Sequence, residues 1–447
     1  MKDAPATTSL PLLLQGRIQS SLYHWTVCCW MAAPPSDPDG KISAWQWTKV
    51  SGPVSFAIVN SSAAKTIVKG LAVGIYQFEL KVTDAGGLFS KDTLKITVNS
   101  APVIVACDNS NRPTINAQLI PIGTLSKARI TPTVAAAGTK ILFAGGRWTS
   151  DCPDCWGSSR VDIYDTVTKQ WSTAELSQGR FGMAAVTVRN KIFFAGGQFG
   201  DGAWDQLFST VDIYDASTNT WSVAALSEAR GYIAGATVGN KLFFAGGGDG
   251  DDYRNPITNK VDIYDLSTNT WSTTSLSEQR LNISAVAINQ KIYFAGGIQS
   301  SSASDKIDIY DDVSHSWTAA TLKTPMAALC GIATANKIYW AANCNVEIKD
   351  VNTGNSSTAN LFQPGYWLMD AGENVVLKDN KLIFFRHLNP SDKFDIYDIA
   401  TNTWSIGVLP QNNIAFSSII SVNNTIYVAG GWSANGVTNN QVWKLEF

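Results

Sequence analysis

Short apolar stretches alternate with polar turns along most of the chain, and the pattern returns at a fixed interval. Each stretch begins with Lys, continues with apolar residues and ends in a double glycine. The four best copies are Lys140–Gly146, Lys191–Gly197, Lys241–Gly247 and Lys291–Gly297. Apolar runs of this length, bounded by glycine and asparagine turns, predict β-strands rather than helices. A stretch of small and apolar residues before each copy, such as Met183–Val188, predicts the first strand of a hairpin.

The second half of each repeat predicts a second hairpin. A strand of the type Val-Asp-Ile-Tyr-Asp is followed by a Thr/Asn turn and a tryptophan. These strands start at Val161, Val211, Val261 and Ile307, and the tryptophans are Trp171, Trp221, Trp271 and Trp317. Three degenerate copies follow in phase, at Lys337–Asn343, Lys381–His387 and Thr425–Gly431. Seven repeats of roughly 45–50 residues have the spacing of propeller blades.

With these motifs the chain resembles the kelch-repeat family over residues 115–447. The resemblance implies an all-β fold with a seven-bladed kelch-type β-propeller. The last copy stops at Phe447, after its third strand, so we expect Gln118–Gly123 to supply the missing outer strand. We also expect the double glycines where the backbone turns too tightly for a Cβ atom, and Tyr and Trp packing between blades.

Residues 36–99 resemble the PKD family, an immunoglobulin-like sandwich common in extracellular bacterial proteins. The resemblance rests on Asp37–Gly40, Ser51–Pro53, Gly74-x-Tyr76 and Val82-x-Asp84. It implies a small β-sandwich and a location outside the cell or on its surface. Residues 100–114, which contain two prolines, are interpreted as a linker.

Residues 1–35 do not fit that family, whose opening strands should precede Asp37. They contain Cys28-Cys29-Trp30-Met31 instead, so we expect an aberrant, disordered segment and an incomplete sandwich. Reading back-translated Gln15–Pro35 in the neighbouring frame permits a sequence typical of the missing opening. The hypothesis is that residues 1–35 are a frameshift product and that the true protein extends upstream. Sequencing the locus tests it. No secretory signal is readable in the segment itself.

Composition excludes several functions. Only 16% of the 447 residues are charged and the net charge is −2, which argues against binding to nucleic acid or anionic membrane. No apolar run reaches the length of a membrane span. We expect a monomer whose ligand is a protein or a glycan.

The candidate ligand-binding residues lie in three long loops between the second and third strands. The loops are Arg147–Arg160, Gln198–Thr210 and Gly248–Lys260. We expect them on the same face as the connections between blades, and loops on a rigid scaffold often carry binding residues. Their aromatic residues are Trp148, Trp156, Trp204 and Tyr253. The predicted function is non-catalytic extracellular binding or adhesion.

Arginine recurs at the blade entrances, as Arg129, Arg180, Arg230 and Arg280. Recurrence in phase favours a structural role, in which each guanidinium binds backbone carbonyls or a neighbouring blade. The alternative is a ring that binds an anionic ligand near the axis, so Arg180, Arg230 and Arg280 are also candidate ligand-binding residues.

The remaining chemistry predicts no cofactor and no metal. Cys152 and Cys155 favour a local disulfide, since a zinc site needs two further ligands. Cys330 and Cys344 are not expected to pair, and at least one of the seven cysteines has no intrachain partner if the rest pair. Asp249, Asp251 and Asp252 are interpreted as solvated turn residues.

The alternative function is a carbohydrate-active enzyme with its site at the propeller axis. Its signature would be an axial carboxylate with a perturbed pKa. Three histidines, His24, His315 and His387, are too few and too scattered for a copper-radical oxidase site.

Overall fold

The structure is a computed structural model. It describes residues 14–18, 28–32, 42–72, 74–98, 107, 111–147, 157–200, 206–248, 257–299, 302–327, 329–362, 375–385, 392–410, 414–433 and 438–447. The chain divides into two compact units, Met1–Val103 and Ile104–Phe447. Both are all-β in these ranges, and none of these residues belongs to a helix long and apolar enough to cross a membrane.

The first unit is a sandwich of two sheets, with strand orders β1-β2-β5-β4 and β3-β6-β7. Its strands are β1 Leu14–Ile18, β2 Cys28–Ala32, β3 Ile42–Ser51, β4 Ala57–Ile58, β5 Lys65–Lys69, β6 Gly74–Asp84 and β7 Phe89–Val98. Alternate residues of β6 point inward, so Tyr76, Phe78 and Leu80 are fully buried. They pack with Trp47 of β3 and Val68 of the other sheet, which gives the two sheets one core.

The segment interpreted as aberrant takes part in this sandwich. β2, which contains Cys28-Cys29-Trp30-Met31, pairs antiparallel with β5, and β1 pairs with β2. The structure therefore differs from the expectation of disorder at these two strands. Backbone pairing along a sheet edge needs only extended peptide groups, so a strand can form there without the family's usual sequence. The frameshift origin of residues 1–35 stays a hypothesis.

The second unit contains seven sheets within the described residues, each built on four antiparallel strands and two of them with a fifth strand, which we number as blades 1–7. Two strands precede them, β8 Thr114–Asn116 and β9 Gln118–Thr124. Blade 1 is β10 Thr133–Ala137, β11 Lys140–Ala144, β12 Arg160–Asp165 and β13 Trp171–Glu175. Blade 2 is β14 Ala184–Val188, β15 Lys191–Ala195, β18 Thr210–Asp215 and β19 Thr220–Ala225, with the small ribbon β16 Gln198–Phe199 and β17 Gln206–Leu207 in its loop. Blade 3 is β20 Ala234–Val238, β21 Lys241–Ala245, β22 Lys260–Asp265 and β23 Thr270–Ser275.

The remaining blades follow the same plan. Blade 4 is β24 Ser284–Ile288, β25 Lys291–Ala295, β27 Ser302–Asp311 and β28 Ser316–Met326, with β26 Ile298–Gln299 beside β27. Blade 5 is β29 Cys330–Thr334, β30 Lys337–Ala342, β31 Asn345–Asp350 and β32 Ser356–Asn360. Blade 6 is β33 Val375–Lys378, β34 Lys381–Phe384, β35 Lys393–Asp398 and β36 Thr403–Val408. Blade 7 is β38 Ser418–Val422, β39 Thr425–Ala429, β41 Gln441–Glu446 and β9, and a ribbon joins β37 Ile414–Ala415 to β40 Trp432–Ser433. Each inner strand contacts the next, and β38 contacts β10, so the ring closes.

The predicted closure of the last blade is confirmed. β9 pairs antiparallel with β41, from Gln118 opposite Glu446 to Thr124 opposite Gln441. A second feature was not expected: β8 pairs in parallel with β36, so blade 6 gains a fifth strand. The second unit begins at Ile104, and the last residue of the predicted linker at residues 100–114, Thr114, pairs with Ile406 of blade 6.

The double glycines have the backbone conformation that the sequence predicted, a tight turn in which a Cβ atom would clash. Gly196 and Gly197 have φ of +65° and +100°, a region that residues with a Cβ rarely adopt. A Cβ on Gly197 would lie 2.7 Å from the carbonyl oxygen of Phe181. The glycines therefore allow the close approach of the chain that enters the same blade.

Aromatic residues fill the space between adjacent blades, as predicted. Tyr264 of blade 3 lies 5.6 Å from Phe193 of blade 2 and 4.9 Å from Trp271 of its own outer strand. Tyr164 of blade 1 lies 6.0 Å from Tyr427 of blade 7. The large rings give each blade boundary its own apolar core.

Candidate binding face and axial cavity

The loops between second and third strands begin beside the connections between blades. Isolated bridges join the two kinds of segment, namely Ile130 with Arg147, Phe181 with Gln198, Gly231 with Gly248 and Leu281 with Ile298. The two sets of loops thus share one face of the propeller, as the sequence predicted. We call it the long-loop face.

The loops return to the scaffold at the double glycines. The backbone amides of Ser158, Phe208 and Thr258 donate to the carbonyls of Gly146, Gly197 and Gly247, at 2.8, 3.0 and 2.9 Å. Both ends of each long loop are therefore fixed to the rigid part of the blade. The candidate residues Trp148, Trp156, Trp204 and Tyr253 lie outside the described residues, as do Cys152, Cys155, Asp249, Asp251 and Asp252.

An axial cavity of about 490 Å³ opens among the inner strands. Its lining comes from blades 1–5 and 7, at residues 131–136, 182–185, 187, 232–235, 282–285, 329–331 and 417–421. These side chains offer hydroxyl, amide, thiol and methyl groups and one phenol. None of these lining residues is Asp, Glu, His, Lys or Arg. The described wall of the cavity thus lacks the carboxylate that an axial general acid or base would require.

Four residues at equivalent positions form a rim on the cavity, each two residues after its blade's arginine. They are Thr131, Gly182, Tyr232 and Asn282, with φ of +53°, +64°, +52° and +53°. The amide of Tyr232 donates to the Gly182 carbonyl at 2.9 Å, and that of Asn282 donates to the Tyr232 carbonyl at 3.1 Å. The backbone is therefore constant around the rim while the side chains differ.

The rim carries polar groups suited to hydrogen bonding. Glycine and asparagine tolerate the left-handed conformation, but threonine and tyrosine adopt it at a cost of about 1–3 kcal/mol each. Thr131 is 5% exposed, and within the described residues its hydroxyl has no hydrogen-bond partner. The sequence analysis missed this rim, although a fixed offset from each arginine was a signal that could have found it.

The recurring arginines lie inside the wall of the propeller. Arg129, Arg180, Arg230 and Arg280 are at most 1% exposed. Each pairs with the aspartate of its blade's third strand; Arg180 Nη2 lies 2.6 Å from Asp212 Oδ2, and Arg129 Nη2 lies 2.7 Å from Asp162 Oδ2. Arg230 pairs in the same way with Asp262, and Arg280 pairs with Asp308. Burial lowers the pKa of the four guanidinium groups, and the paired aspartate partly offsets this.

Three of these arginines, Arg180, Arg230 and Arg280, also connect two blades, because each backbone amide donates to a carbonyl of the preceding blade. The backbone amide of Arg180 donates to Ser158 of blade 1, while its side chain binds Asp212 and the Phe194 carbonyl of blade 2. Arg230 Nη1 donates to the carbonyls of Gly246 and Lys260 at 2.6 and 2.7 Å. This geometry favours the structural interpretation of Arg180, Arg230 and Arg280, because their charged groups do not reach the ligand-accessible surface.

Blade 6 obtains its arginine from outside the repeat. Arg112 Nη1 lies 2.8 Å from Asp395 Oδ1, and Arg112 Nη2 donates to the Asn360 carbonyl at 2.7 Å. Its guanidinium also lies 4.9 Å from the centre of the Trp404 ring. The sequence analysis missed this pair. The sequence did contain a signal for it: Asp395 lies at the position of the paired aspartates of the other blades, but no arginine lies at the entrance of blade 6.

Blade 5 keeps the acid without an arginine. Glu347 is fully buried, and its Oε2 accepts the Lys323 amide at 2.7 Å. Met326 occupies the place of the arginine, since its carbonyl accepts the Gly297 amide as the Arg280 carbonyl accepts that of Gly247. Among the described residues, Glu347 Oε1 has no hydrogen-bond partner.

Cysteine and histidine positions agree in part with the sequence analysis. Cys344 forms a disulfide with Cys107, which confirms that Cys330 and Cys344 do not pair. The Cys330 thiol donates to the Ala341 carbonyl at 3.6 Å. His315 lies in the exposed turn between the third and fourth strands of blade 4. Within the described ranges, no cluster of three His, Cys, Asp or Glu residues is arranged to hold a metal.

Comparison with known families finds a matching family model for part of each unit. Residues 131–339 match the family model of the KLHDC2/KLHL20/DRC7 Kelch-repeats domain, and residues 31–98 match a family model of the PKD domain. The chain carries a PKD domain followed by a kelch-repeat domain. The PKD match begins inside β2, ahead of the predicted start at residue 36.

We also compared the chain with an individual protein and with a solved structure. The mouse dyslexia-associated protein KIAA0319 homolog is 39% identical over 70 residues, which are 15% of this chain and 6% of that protein. This chain therefore spans only a small part of the curated relative that it matches. A solved structure titled "Structure of YjhT" is 13% identical, with a TM-score of 0.44, over 72% of this chain and 95% of that chain.

Proposed function

We propose that this protein is a non-catalytic binding or adhesion protein that holds a protein or glycan ligand on the long-loop face of its kelch propeller. The kelch-repeat and PKD domains together suggest a role in interaction or adhesion rather than catalysis. The observation that carries the proposal is the position of the long loops. Their ends are hydrogen-bonded to the double glycines and lie next to the rim of the axial cavity.

The ligand would meet two surfaces on that face. The loops supply the large aromatic side chains Trp148, Trp156, Trp204 and Tyr253, a residue class that dominates binding hot spots. The rim supplies hydroxyl and amide groups and no charge at Thr131, Tyr232 and Asn282. We expect recognition to depend on aromatic stacking and neutral hydrogen bonds, and the protein to act as a monomer because β9 of the same chain completes blade 7 and the blades leave only short edges.

An extracellular or cell-surface location is part of the proposal. The PKD domain is of an extracellular type. The Cys107–Cys344 disulfide supports the same location, since disulfides persist in oxidising compartments.

The alternative, a carbohydrate-active enzyme at the axis, has less support. Hydrolysis or proton transfer on a sugar needs at least one positioned acid or base. The described lining of the axial cavity contains no such group.

The test is a screen of the full chain against glycans and cell-surface proteins. A variant with Trp148, Trp156 and Trp204 changed to Ala should lose at least about 2 kcal/mol of binding free energy, or about 30-fold in Kd, if these residues are hot spots. Val167→Ala is the control, because Val167 is 69% exposed in a turn between third and fourth strands. Binding that survives the triple substitution would contradict the proposed site.

A further inference from the structure

The segment before the propeller is attached to it at four consecutive places. Cys107 forms a disulfide with Cys344, which follows the second strand of blade 5. Arg112 pairs with Asp395 of blade 6 and binds the Asn360 carbonyl of blade 5. β8 then pairs with β36, and β9 completes blade 7. We call Cys107 with residues 111–117 the strap.

The strap fills a site that blade 6 leaves vacant. In blades 1 and 2 the residue four positions after the entrance leucine is Arg129 or Arg180, and in blade 6 the same position is Gly365. Asp395 is 1% exposed and Arg112 is 8% exposed, so the pair is buried like those of the other blades. Removing one partner of a buried ion pair destabilises a fold strongly. Blade 6 therefore depends on a residue 283 positions away in sequence.

The strap also seals an apolar core. Ala117 belongs to the buried cluster between blades 6 and 7, and Ile115 packs against it. The Ala117 amide donates to the Val408 carbonyl at 2.8 Å, and the Ile406 amide donates to the Pro113 carbonyl at 2.8 Å. These two amides report directly on whether the strap is in place.

We propose that the strap is a redox-controlled latch: the Cys107–Cys344 disulfide keeps Arg112 in the acidic site of blade 6, and reduction releases the strap. The disulfide fixes the chain five residues before Arg112, and β9 fixes it on the other side. With both ends held, the guanidinium returns to Asp395 at a high effective concentration. With one end free, the strap opens more often.

The reducing step has a defined course. Cys344 is fully buried, whereas Cys107 is partly exposed. A thiolate of a dithiol reductant attacks the Cys107 sulfur, the S–S bond breaks, and Cys344 leaves as a thiolate that takes up a proton. The second thiol of the reductant then displaces Cys107 as a thiol. The protein gains two electrons and two protons, and the reductant closes to its own disulfide.

Hydrogen exchange of the full chain, with and without dithiothreitol, tests the proposal. Reduction should speed exchange at the amides of Ala117 and Ile406 on the order of tenfold or more. The Phe193 amide, in the second strand of blade 2, should not change. Unchanged exchange at Ala117 and Ile406 on reduction would overturn the latch. So would the finding that Cys107 and Cys344 are free thiols in protein kept under oxidising conditions.

Two variants separate the latch from other effects of reduction. In the Cys107→Ser/Cys344→Ser variant the two amides should exchange fast already, and dithiothreitol should add nothing. A further change would place the effect at another disulfide and overturn the proposal. In Arg112→Met, exchange should be fast in oxidised protein and reduction should add less than in the wild type, since both changes act on one opening. Strictly additive effects would contradict the coupling, and the wild-type comparison stands even if a variant fails to fold.

Discussion

The Asp212→Asn substitution removes one partner of a buried ion pair and leaves the other charged. Asp212 Oδ2 lies 2.6 Å from Arg180 Nη2 and also accepts the Ser177 hydroxyl at 3.1 Å. Its Oδ1 accepts the Ser177 amide at 3.1 Å. These partners of the carboxylate are all donors. An asparagine amide nitrogen must therefore face either the guanidinium or Ser177, donor against donor.

The expected loss follows from that geometry. Both side chains of the pair are at most 3% exposed, so water cannot replace the lost partner. Leaving one charge of a buried pair uncompensated costs about 3–5 kcal/mol. Replacing both partners by apolar residues, in Arg180→Met/Asp212→Leu, should cost less than Asp212→Asn alone, because no buried charge is left without a partner.

Urea unfolding, followed by tryptophan fluorescence, measures the difference. Glu347→Gln is the matched control, since Glu347 holds the equivalent place in blade 5 and no arginine of the described residues pairs with it. Its Oε2 position accepts the Lys323 amide, which a glutamine oxygen can also do, so the free energy of unfolding should change by about 1 kcal/mol or less. Equal losses for Asp212→Asn and Glu347→Gln would refute the role given to the arginine pair. So would a double variant that is less stable than the single one.

Two further predictions concern acid stability and the double glycines. The pKa of Asp215 is lowered to about 2, first by a hydrogen bond from the Ser217 hydroxyl and then by one from Lys191. The pKa of Asp311 is lowered to about 2, first by a hydrogen bond from Lys291. The pKa of Asp398 is lowered to about 2, first by a hydrogen bond from Lys381. Folded-state values below the unfolded one of about 3.9 stabilise the fold above that pH, and this contribution disappears as the pH falls towards 2. The melting temperature should therefore stay level from pH 6 to 5 and fall between pH 4 and 2; a level curve down to pH 2 would show that these pairs contribute nothing. Gly197→Ala should lower the melting temperature far more than Gly138→Ala. A Cβ on Gly197 meets a carbonyl oxygen at 2.7 Å, whereas a Cβ on Gly138 meets nothing within 4 Å. Equal shifts would mean that the backbone around Gly197 moves to accept the Cβ without loss of stability.

Much of the propeller could be predicted because each blade is specified by its own sequence. The apolar strand, the double glycine and the Asp-containing strand of one repeat pair with one another, so local patterns were sufficient. Ring closure was predictable for a related reason. The fourth strand of blade 7 is β9, which lies directly before the first repeat and pairs with β41.

The features that sequence reasoning missed depend on contacts between distant segments. The Cys107–Cys344 disulfide joins residues 237 positions apart, and no pattern in the sequence marks the pair. Arg112 lies in a stretch that reads as a linker, because it contains two prolines and a single arginine and shows no periodicity. The rim at Thr131 and Tyr232 was missed for another reason. Left-handed backbone is expected at Gly or Asn, and these residues are neither.

Blades 5 and 6, which lack an arginine at the blade entrance in their own sequence, bear on the role of the recurring arginines. In six blades the third-strand acid accepts a backbone amide from the connection that enters the blade. The donors are Ser126, Ser177, Ser227, Ser277, Lys323 and Phe362. The acid is therefore the constant feature, and the arginine is its counter-charge.

If the repeat arginines formed a ring that bound a ligand, an arginine from outside the repeat would not be expected to replace one of them. Blade 6 has nevertheless recruited Arg112, and that guanidinium is also buried against Asp395. In blade 5, where Met326 stands in the place of the arginine, Glu347 still accepts its backbone amide and the blade still forms. This arrangement favours a structural role for the arginines at the blade boundaries. The proposed binding would then depend on the long loops and on the side chains of the rim, which differ from blade to blade at a similar φ.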